Sequence, residues 1–559
     1  MRPYHEAMPE PRDPLSEYQA KLRSLQGAQA SVPGFLASGA NPLNRARLTR
    51  FYQSGIDRLT GTWAGKGVTG EAFSRPDHLY ERDLNIFGAG SVFEFLCTAR
   101  TQAGQRRLAS YLLDLPPRPE TLARQQAVQE LGPLAELRER ICLLGKYSTL
   151  TCDFESFNEW LDAPAAPLPR LVSLIVAVVS AALTVLFAFA LATNVGARTT
   201  ITPYLMALGL LQLTFALTLR PKMQPVAESG RGISSELSVL REGLALMEAY
   251  AFRSPKLESL KACVKGSAQA VGKLDRLIDA LDQSDQPWFY GLTRILLVDT
   301  QIAISMERWK VRHGKHLGGW LDAWAEFEAL NALACYAYEH PPDVFPEILD
   351  GSAPRFEAVG LAHPLLPESI GVRNDIELNS ARKFYLVSGS NMAGKSTLLR
   401  AIALNAVLGC AGAPVRAFRA RQSSLSVCAS LSIVDSLAEG KSKFMAEVER
   451  LRDILQSASD PGHALFVIDE ILAGTNSRDR RIASESFLRA LIGAGAIGAL
   501  STHDLALTEI AAAPELHGSN VHMESPDPSD PLAFDYLLKP GIAERSNALA
   551  IARMAGVAT

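Results

Sequence analysis

Residues Ser388–Ile402 read SGSNMAGKSTLLRAI, and this stretch decides the fold of the C-terminal third of the chain. Its core, Gly389–Ser396, satisfies G-x-x-x-x-G-K-[ST]. The strand-like KFYLV precedes it and the helix-like STLLRAIALNAVL follows, which is the setting such a loop needs. Glycines let the backbone wrap a polyphosphate, and the loop amides with the helix N-terminus supply positive potential. The expected cradle is Gly389, Ser390, Asn391, Met392, Ala393, Gly394, Lys395, Ser396 and Thr397. In it Lys395 reaches the β- and γ-phosphates of ATP and Ser396 ligates Mg²⁺.

Two further strand ends fit the same chemistry. ALFVIDE, Ala464–Glu470, is an apolar strand closing on two carboxylates. Asp469 is expected to hold the Mg²⁺ shell, and Glu470 to orient or deprotonate the attacking water. GALSTHD reads as another strand, ending at His503, where an imidazole meets the γ-phosphate or the water. An acidic pair at a strand end can also be a plain helix cap, and a lone histidine says little. Their order after the glycine-rich loop is what gives them weight.

Several motifs in one order resemble the MutS family of ATPases. GSNMAGKST resembles that family's G-P-N-M-x-G-K-S-T loop, EGKSKFMAEVERL its S-x-F-M-x-E segment, and DEILAGTNSRD its D-E-x-x-x-G-T-S loop. STHD is similar to its T-H motif, and FDYLLKPGIAERSNALAIARMAG to its C-terminal segment. Upstream, AVGLAHPLL and VRND stand where the family has its R-H-P and P-N-D turns, and TARTQAGQRRLASYLLDLPPRPETLARQQAV resembles its helical core. The resemblance implies a homodimer with composite ATP sites, in which Ser442 approaches the γ-phosphate held by the other subunit. Read from the residues alone, Ser442 is an N-cap before KFMAEVERL, and the two roles are compatible. The sequence departs from the family where Ser390 replaces a proline and Leu472-Ala473 replaces Gly-Arg.

The remainder of the chain sets limits on what that resemblance implies. Leu171–Thr193 and Ile201–Leu219 contain no charged residue. A helix of about 20 residues crosses the hydrocarbon layer of about 30 Å, and buried core helices of this length normally carry a polar stripe. A transmembrane hairpin is expected. Arg170, Arg220 and Lys222 flank it and only Arg198 lies in the link, which places both termini and the ATPase domain in the cytoplasm at the inner membrane. The expected organisation is a helical N-terminal region (1–79), a MutS-core-like helical domain (80–165), the hairpin (166–222), a helical core and lever continuation (223–345) and the ATPase domain (346–559). The fold class is therefore an α/β P-loop NTPase domain of ABC type, MutS-like, preceded by an all-α region that the hairpin interrupts.

With 559 residues and a formal net charge of −3, the chain has no overall basic character, so nucleic acid would need a local patch. Seven scattered cysteines form no metal-ligand spacing and read as reduced thiols. Trp309, Trp320 and Trp324 recur at helical spacing and read as core rather than as base-stacking platforms. The first residues carry no apolar h-region, so no secretory signal is expected, and because the core-like segment starts near residue 80 no mismatch-reading domain is expected. No nuclease-like tail after the ATPase domain is expected either. The expected function is a membrane-anchored, dimeric, ATP-hydrolysing switch of the MutS type with DNA binding implied by resemblance. The alternative is a membrane-associated ATPase acting on a partner other than DNA, and a transporter-like ATPase is a third reading.

Overall fold

The computed structural model describes all residues except 1–12, 28–41, 146–154, 166–168, 194, 231–233, 285–292, 294–295, 352, 391, 432–442, 460–462, 473–475, 528–529, 531–532 and 544–559. The chain divides into two compact units. The first comprises residues 1–139, 253–257 and 326–559, and the second residues 140–252 and 258–325.

Among the described residues, ten strands lie in the first unit: β1 Glu347–Ile348, β2 Phe356–Leu361, β3 Asn374–Leu378, β4 Phe384–Gly389, β5 Arg419–Gln422, β6 Leu425–Ser430, β7 His463–Asp469, β8 Ile497–Thr502, β9 Gly518–Met523 and β10 Lys539–Pro540. They form a four-stranded sheet, order β1-β5-β2-β3, and a six-stranded sheet, order β10-β9-β4-β8-β7-β6. In the larger sheet β9, β4, β8, β7 and β6 run parallel and β10 is an antiparallel edge. Parallel strands covered on both faces read as unbroken apolar runs. That is the pattern of β4, FYLVSG, and β8, IGALST, each buried throughout.

Helix Lys395–Ala411 leaves β4 and is buried along nearly its whole length. It stops at Gly412, whose φ of 93° is the left-handed conformation glycine adopts without penalty. Below the sheet, Phe384, Leu386, Phe466, Ile468 and Leu500 form one core with Ile454, Leu488, Leu491 and Leu516. Burial of side chains of this size contributes about 1.5–3 kcal/mol each, so this core holds the strand ends in register. Helix Arg118–Leu131 meets the far end of the Lys395–Ala411 helix, where the Thr121 hydroxyl donates to the Cys410 carbonyl at 3.1 Å. The region expected to be helix, proline-rich turn, helix contains one more break. Thr101 caps helix Gln102–Leu113 by accepting from the Gly104 amide, which separates that helix from the short Val92–Leu96.

The second unit is all helical among its described residues. Arg170–Ala192 and Val195–Gly230 pair as an antiparallel hairpin, followed by Ser234–Ala249, Pro255–Cys263, Ser267–Ser284 and the first part of Val298–Glu339. Leu171–Ala192 and Thr199–Gly230 are long and apolar enough to cross a membrane, and 17% and 6% of their most apolar windows are buried. Trp309, Trp320 and Trp324 are buried, and the Trp309 indole donates to the Ala270 carbonyl at 2.7 Å.

Candidate functional site

Where β4 ends, the chain turns through three residues with positive φ: Gly389 at 144°, Met392 at 73° and Gly394 at 92°. A Cβ on Gly389 would stand 2.3 Å from the Met523 carbonyl oxygen of β9, so the strand pairing leaves no space for a side chain. Gly394 is restricted from the other side, since a Cβ there would meet the Tyr536 ring at 2.8 Å. Met392 stands out of the loop, 73% exposed. The Lys395 ammonium folds back and donates to the carbonyls of Gly389 and Ser390, both at 2.9 Å. Burial holds it below the ordinary lysine range, and the charges of Asp469 and Glu470 oppose that shift. A buried cation facing two carboxylates beside a glycine-rich loop at a helix N-terminus is a place where an anionic ligand is stabilised.

Both oxygens of Asp469 are engaged by hydroxyls: Ser396 donates to one and Ser501 to the other. The sheet register brings this about, because β7 and β8 pair Asp469 with Ser501. A serine hydroxyl beside a carboxylate at the start of a helix is an oxygen donor set suited to Mg²⁺, which keeps water and takes few protein ligands. Glu470 follows in a left-handed conformation, φ 54°, its amide donating to the Ser501 carbonyl at 3.2 Å. This re-aims the side chain so that its carboxylate lies 3.2 Å from His503 Nδ1.

Three side chains that the sequence reading did not assign support this turn and its neighbour. Glu447, buried on helix Lys443–Ser459, accepts the Leu472 amide. The Arg480 guanidinium donates to the Leu472 carbonyl at 3.0 Å and pairs loosely with Asp504. Together they fix Leu472, itself at φ 52°, two residues beyond the catalytic candidate. Asn374 acts on the opposite flank: its side chain donates to the Tyr536 carbonyl at 3.1 Å and accepts from the Leu538 amide at 2.7 Å. Tyr536 is thereby held, at φ 56°, against Gly394. Beside it opens a cavity of about 350 Å³ lined by Leu361, Leu366, Val372, Thr397, Ala401 and Tyr536, among others. His363 also lines it, and burial pushes that imidazole down to about 4, so it is neutral at pH 7.

The structure thus brings Gly389, Ser390, Met392, Ala393, Gly394, Lys395, Ser396 and Thr397 onto one loop and helix start, with Asp469, Glu470 and His503 at the ends of the adjoining strands. Asn391 and Ser442 lie outside the described residues, as does the C-terminal segment from residue 544. Among the described residues no group of three or more histidine, cysteine, aspartate or glutamate side chains is placed to hold a metal ion.

The class these features define is an α/β domain whose polar site is assembled at the carboxyl edge of a largely parallel sheet, around a glycine-rich loop. Residues 385–559 match the model of MutS domain V. The DNA mismatch repair protein MutS of Natronomonas pharaonis is 33% identical over 288 residues, which cover 51% of this chain and 31% of that protein. The C-terminal part of the chain, residues 385–559, is similar to MutS domain V, and the matched stretch spans about a third of the length of that relative.

Proposed function

We propose that the protein binds and hydrolyses ATP at the loop Gly389–Thr397. The observation that carries this reading is the convergence, at three neighbouring strand ends, of a buried lysine, a serine–aspartate pair and a glutamate–histidine pair. The loop amides and the start of helix Lys395–Ala411 bind the phosphates, and the Lys395 ammonium exchanges its loop carbonyls for phosphate oxygens. Ser396 and Asp469 would hold Mg²⁺, which supplies charge neutralisation at the phosphates when bound. Glu470 accepts a proton from, and orients, the water that attacks the γ-phosphorus; ADP leaves with the bridging oxygen. His503, whose Nδ1 lies 3.2 Å from a Glu470 carboxylate oxygen, keeps that carboxylate aimed. The base occupies the apolar cavity, with the Tyr536 ring as its platform.

Composite sites in a homodimer, with Ser442 reaching the partner's nucleotide, follow from the family resemblance. Their support in this chain is an apolar rim at the site: Met392, Leu505 and Ile542 are 73%, 52% and 41% exposed. We further propose that the hairpin anchors the protein in the inner membrane by two spans, with the ATPase unit in the cytoplasm. Binding of mismatched or damaged DNA is the property that the relative's name suggests. A switch acting on a membrane-proximal partner other than DNA is the second reading, and the exposed hairpin favours it.

The test is ATP turnover by purified protein with Lys395→Ala and Glu470→Ala variants, with and without homoduplex, mismatched and branched DNA. The first variant is expected to lose nucleotide binding, and the second to bind but not turn over. Unchanged hydrolysis by Glu470→Ala would refute the assignment. Stimulation or retention by any DNA at low salt, with a steep salt dependence, would decide for the DNA reading.

A further inference from the structure

In the first unit an irregular segment, residues 74–86, joins helix Gln102–Leu113 to the six-stranded sheet. The Leu79 carbonyl accepts the Ala429 amide at 3.0 Å on the open side of β6, the last strand of that sheet. The Leu79 side chain packs on the core below. On the other flank the Tyr80 hydroxyl donates to the Leu112 carbonyl at 2.7 Å, and His78 Nε2 lies 3.1 Å from the Leu113 carbonyl. These are carbonyls at a helix C-terminus, which have no partner within their own helix. The start of the same helix is tied through Thr101 to Glu328 of the long helix Val298–Glu339.

Asp83, in this segment, is 3% exposed and uses both carboxylate oxygens. One accepts the Leu431 amide, directly after β6, at 2.7 Å, and the other accepts from the Arg450 guanidinium at 2.8 Å. Arg450 also donates to the His78 carbonyl at 3.2 Å. The Asp83 carbonyl accepts from Arg400 Nε at 3.3 Å. A carboxylate is retained at such burial only where partners of this kind offset the loss of water.

The two arginines lead to the two halves of the nucleotide site. Arg400 lies five residues past Lys395 on helix Lys395–Ala411, about 7.5 Å along its axis. Arg450 lies three residues past Glu447 on helix Lys443–Ser459, so the two are neighbours on its surface. Glu447 accepts the Leu472 amide, two residues beyond Glu470. Leu451, Ile454 and Ala458 of that helix pack in the core under the sheet. Apolar contact is non-directional, so the directional bonds of Glu447 and Arg450 set how the helix is turned about its axis.

Resting on the ATPase reading above, we propose that Asp83 is a positioning residue for ATP turnover. Its carboxylate holds Arg450, Arg450 sets the helix that carries Glu447, and Glu447 holds the turn from which Glu470 faces the attacking water. Residues 74–86 also grip the end of helix Gln102–Leu113, so a displacement of that helix reaches Glu470 through the same bonds. Helix Gln102–Leu113 thereby bears on the hydrolysis rate from outside the nucleotide site.

The test compares Asp83→Asn, Glu447→Ala and the double variant with the parent, all full length, by steady-state ATP turnover, calorimetric ATP titration and melting midpoint. Asp83→Asn replaces one acceptor by a donor. It is expected to lower kcat about ten- to a hundredfold, as small misplacements of catalytic groups do. ATP affinity and binding stoichiometry should stay at the parent's values, because the Asp83 carbonyl still holds Arg400. Glu447→Ala is expected to lower kcat alike, and the double variant no further than the larger single loss, because both act through one helix. A lowered melting midpoint and stoichiometry, with kcat per binding site equal to the parent's, would make Asp83 a structural residue and overturn the proposal. Losses that multiply in the double variant would overturn it as well. Absence of turnover in the parent would refute the ATPase reading and this one with it, whereas turnover that Asp83→Asn leaves intact overturns the positioning role alone. Should Asp83→Asn fail to fold, Arg450→Lys is read in the same way, since an ammonium cannot hold the Asp83 and His78 oxygens in the guanidinium's geometry.

Discussion

Gly389 shows how little freedom a single residue has at this site. Its backbone lies in a region that side chains disfavour, and the Met523 carbonyl occupies the space of a Cβ. Gly389→Ala is expected to cost about 1–3 kcal/mol in backbone conformation alone, and more from the displaced β9; a lowered melting midpoint together with lost nucleotide binding would show it. Tyr536 is a contrasting case, since its backbone is pinned by Asn374 while its ring faces the cavity. If the base stacks there, Tyr536→Ala should weaken ATP binding by about 1–3 kcal/mol, roughly 5- to 150-fold. Tyr536→Phe should bind like the parent, and calorimetric titration separates the two. At this scale the motif residues were legible because each occupies a fixed offset from the glycines. Tyr536 and Glu447 fall within quoted motifs, but without assigned roles, because their contacts come from strands and helices distant in sequence.

Among the elements, the start of helix Gln102–Leu113 gives a pH-dependent prediction. Glu328, buried on the long helix, accepts the amides of Arg100 and Thr101 and the Thr101 hydroxyl. Burial outweighs those bonds and raises its carboxyl to about 7. The unfolded chain loses that proton near 4.5 and the folded chain near 7, so between these values the folded state binds the extra proton. Stability through this group is fully present below about 4.5 and falls as pH rises through about 7. Glu328→Gln is expected to flatten that decline, read as melting midpoints across the same window; an unchanged slope would assign it to other groups. Strands β4, β7 and β8 could be read from their apolar runs, because burial on both faces removes the alternation that otherwise confuses strands with loops. The break at Thr101 could not, since an N-cap threonine inside an apolar-periodic run is recognised only once Glu328 is seen to complete it.

For the whole molecule, the question is what covers the hairpin, and its exposed residues give a test with opposite outcomes in water and in lipid. Val185 and Leu213 are 68% and 53% exposed and touch no core. If these helices stand in water, Val185→Asp and Leu213→Asp change nothing that packs, and surface substitutions of that kind usually move stability by less than about 0.5 kcal/mol. If they span a bilayer, each aspartate near the middle of a span costs about 2.5–3.5 kcal/mol of insertion free energy. The double variant is then expected to lose its place in the carbonate-washed membrane fraction, while the parent remains there. ATP turnover of the displaced protein should persist, because the nucleotide site lies wholly in the other unit. Equal partitioning of parent and variant, both in the soluble fraction, would make the hairpin a surface of a soluble protein and remove the anchor from the proposed function.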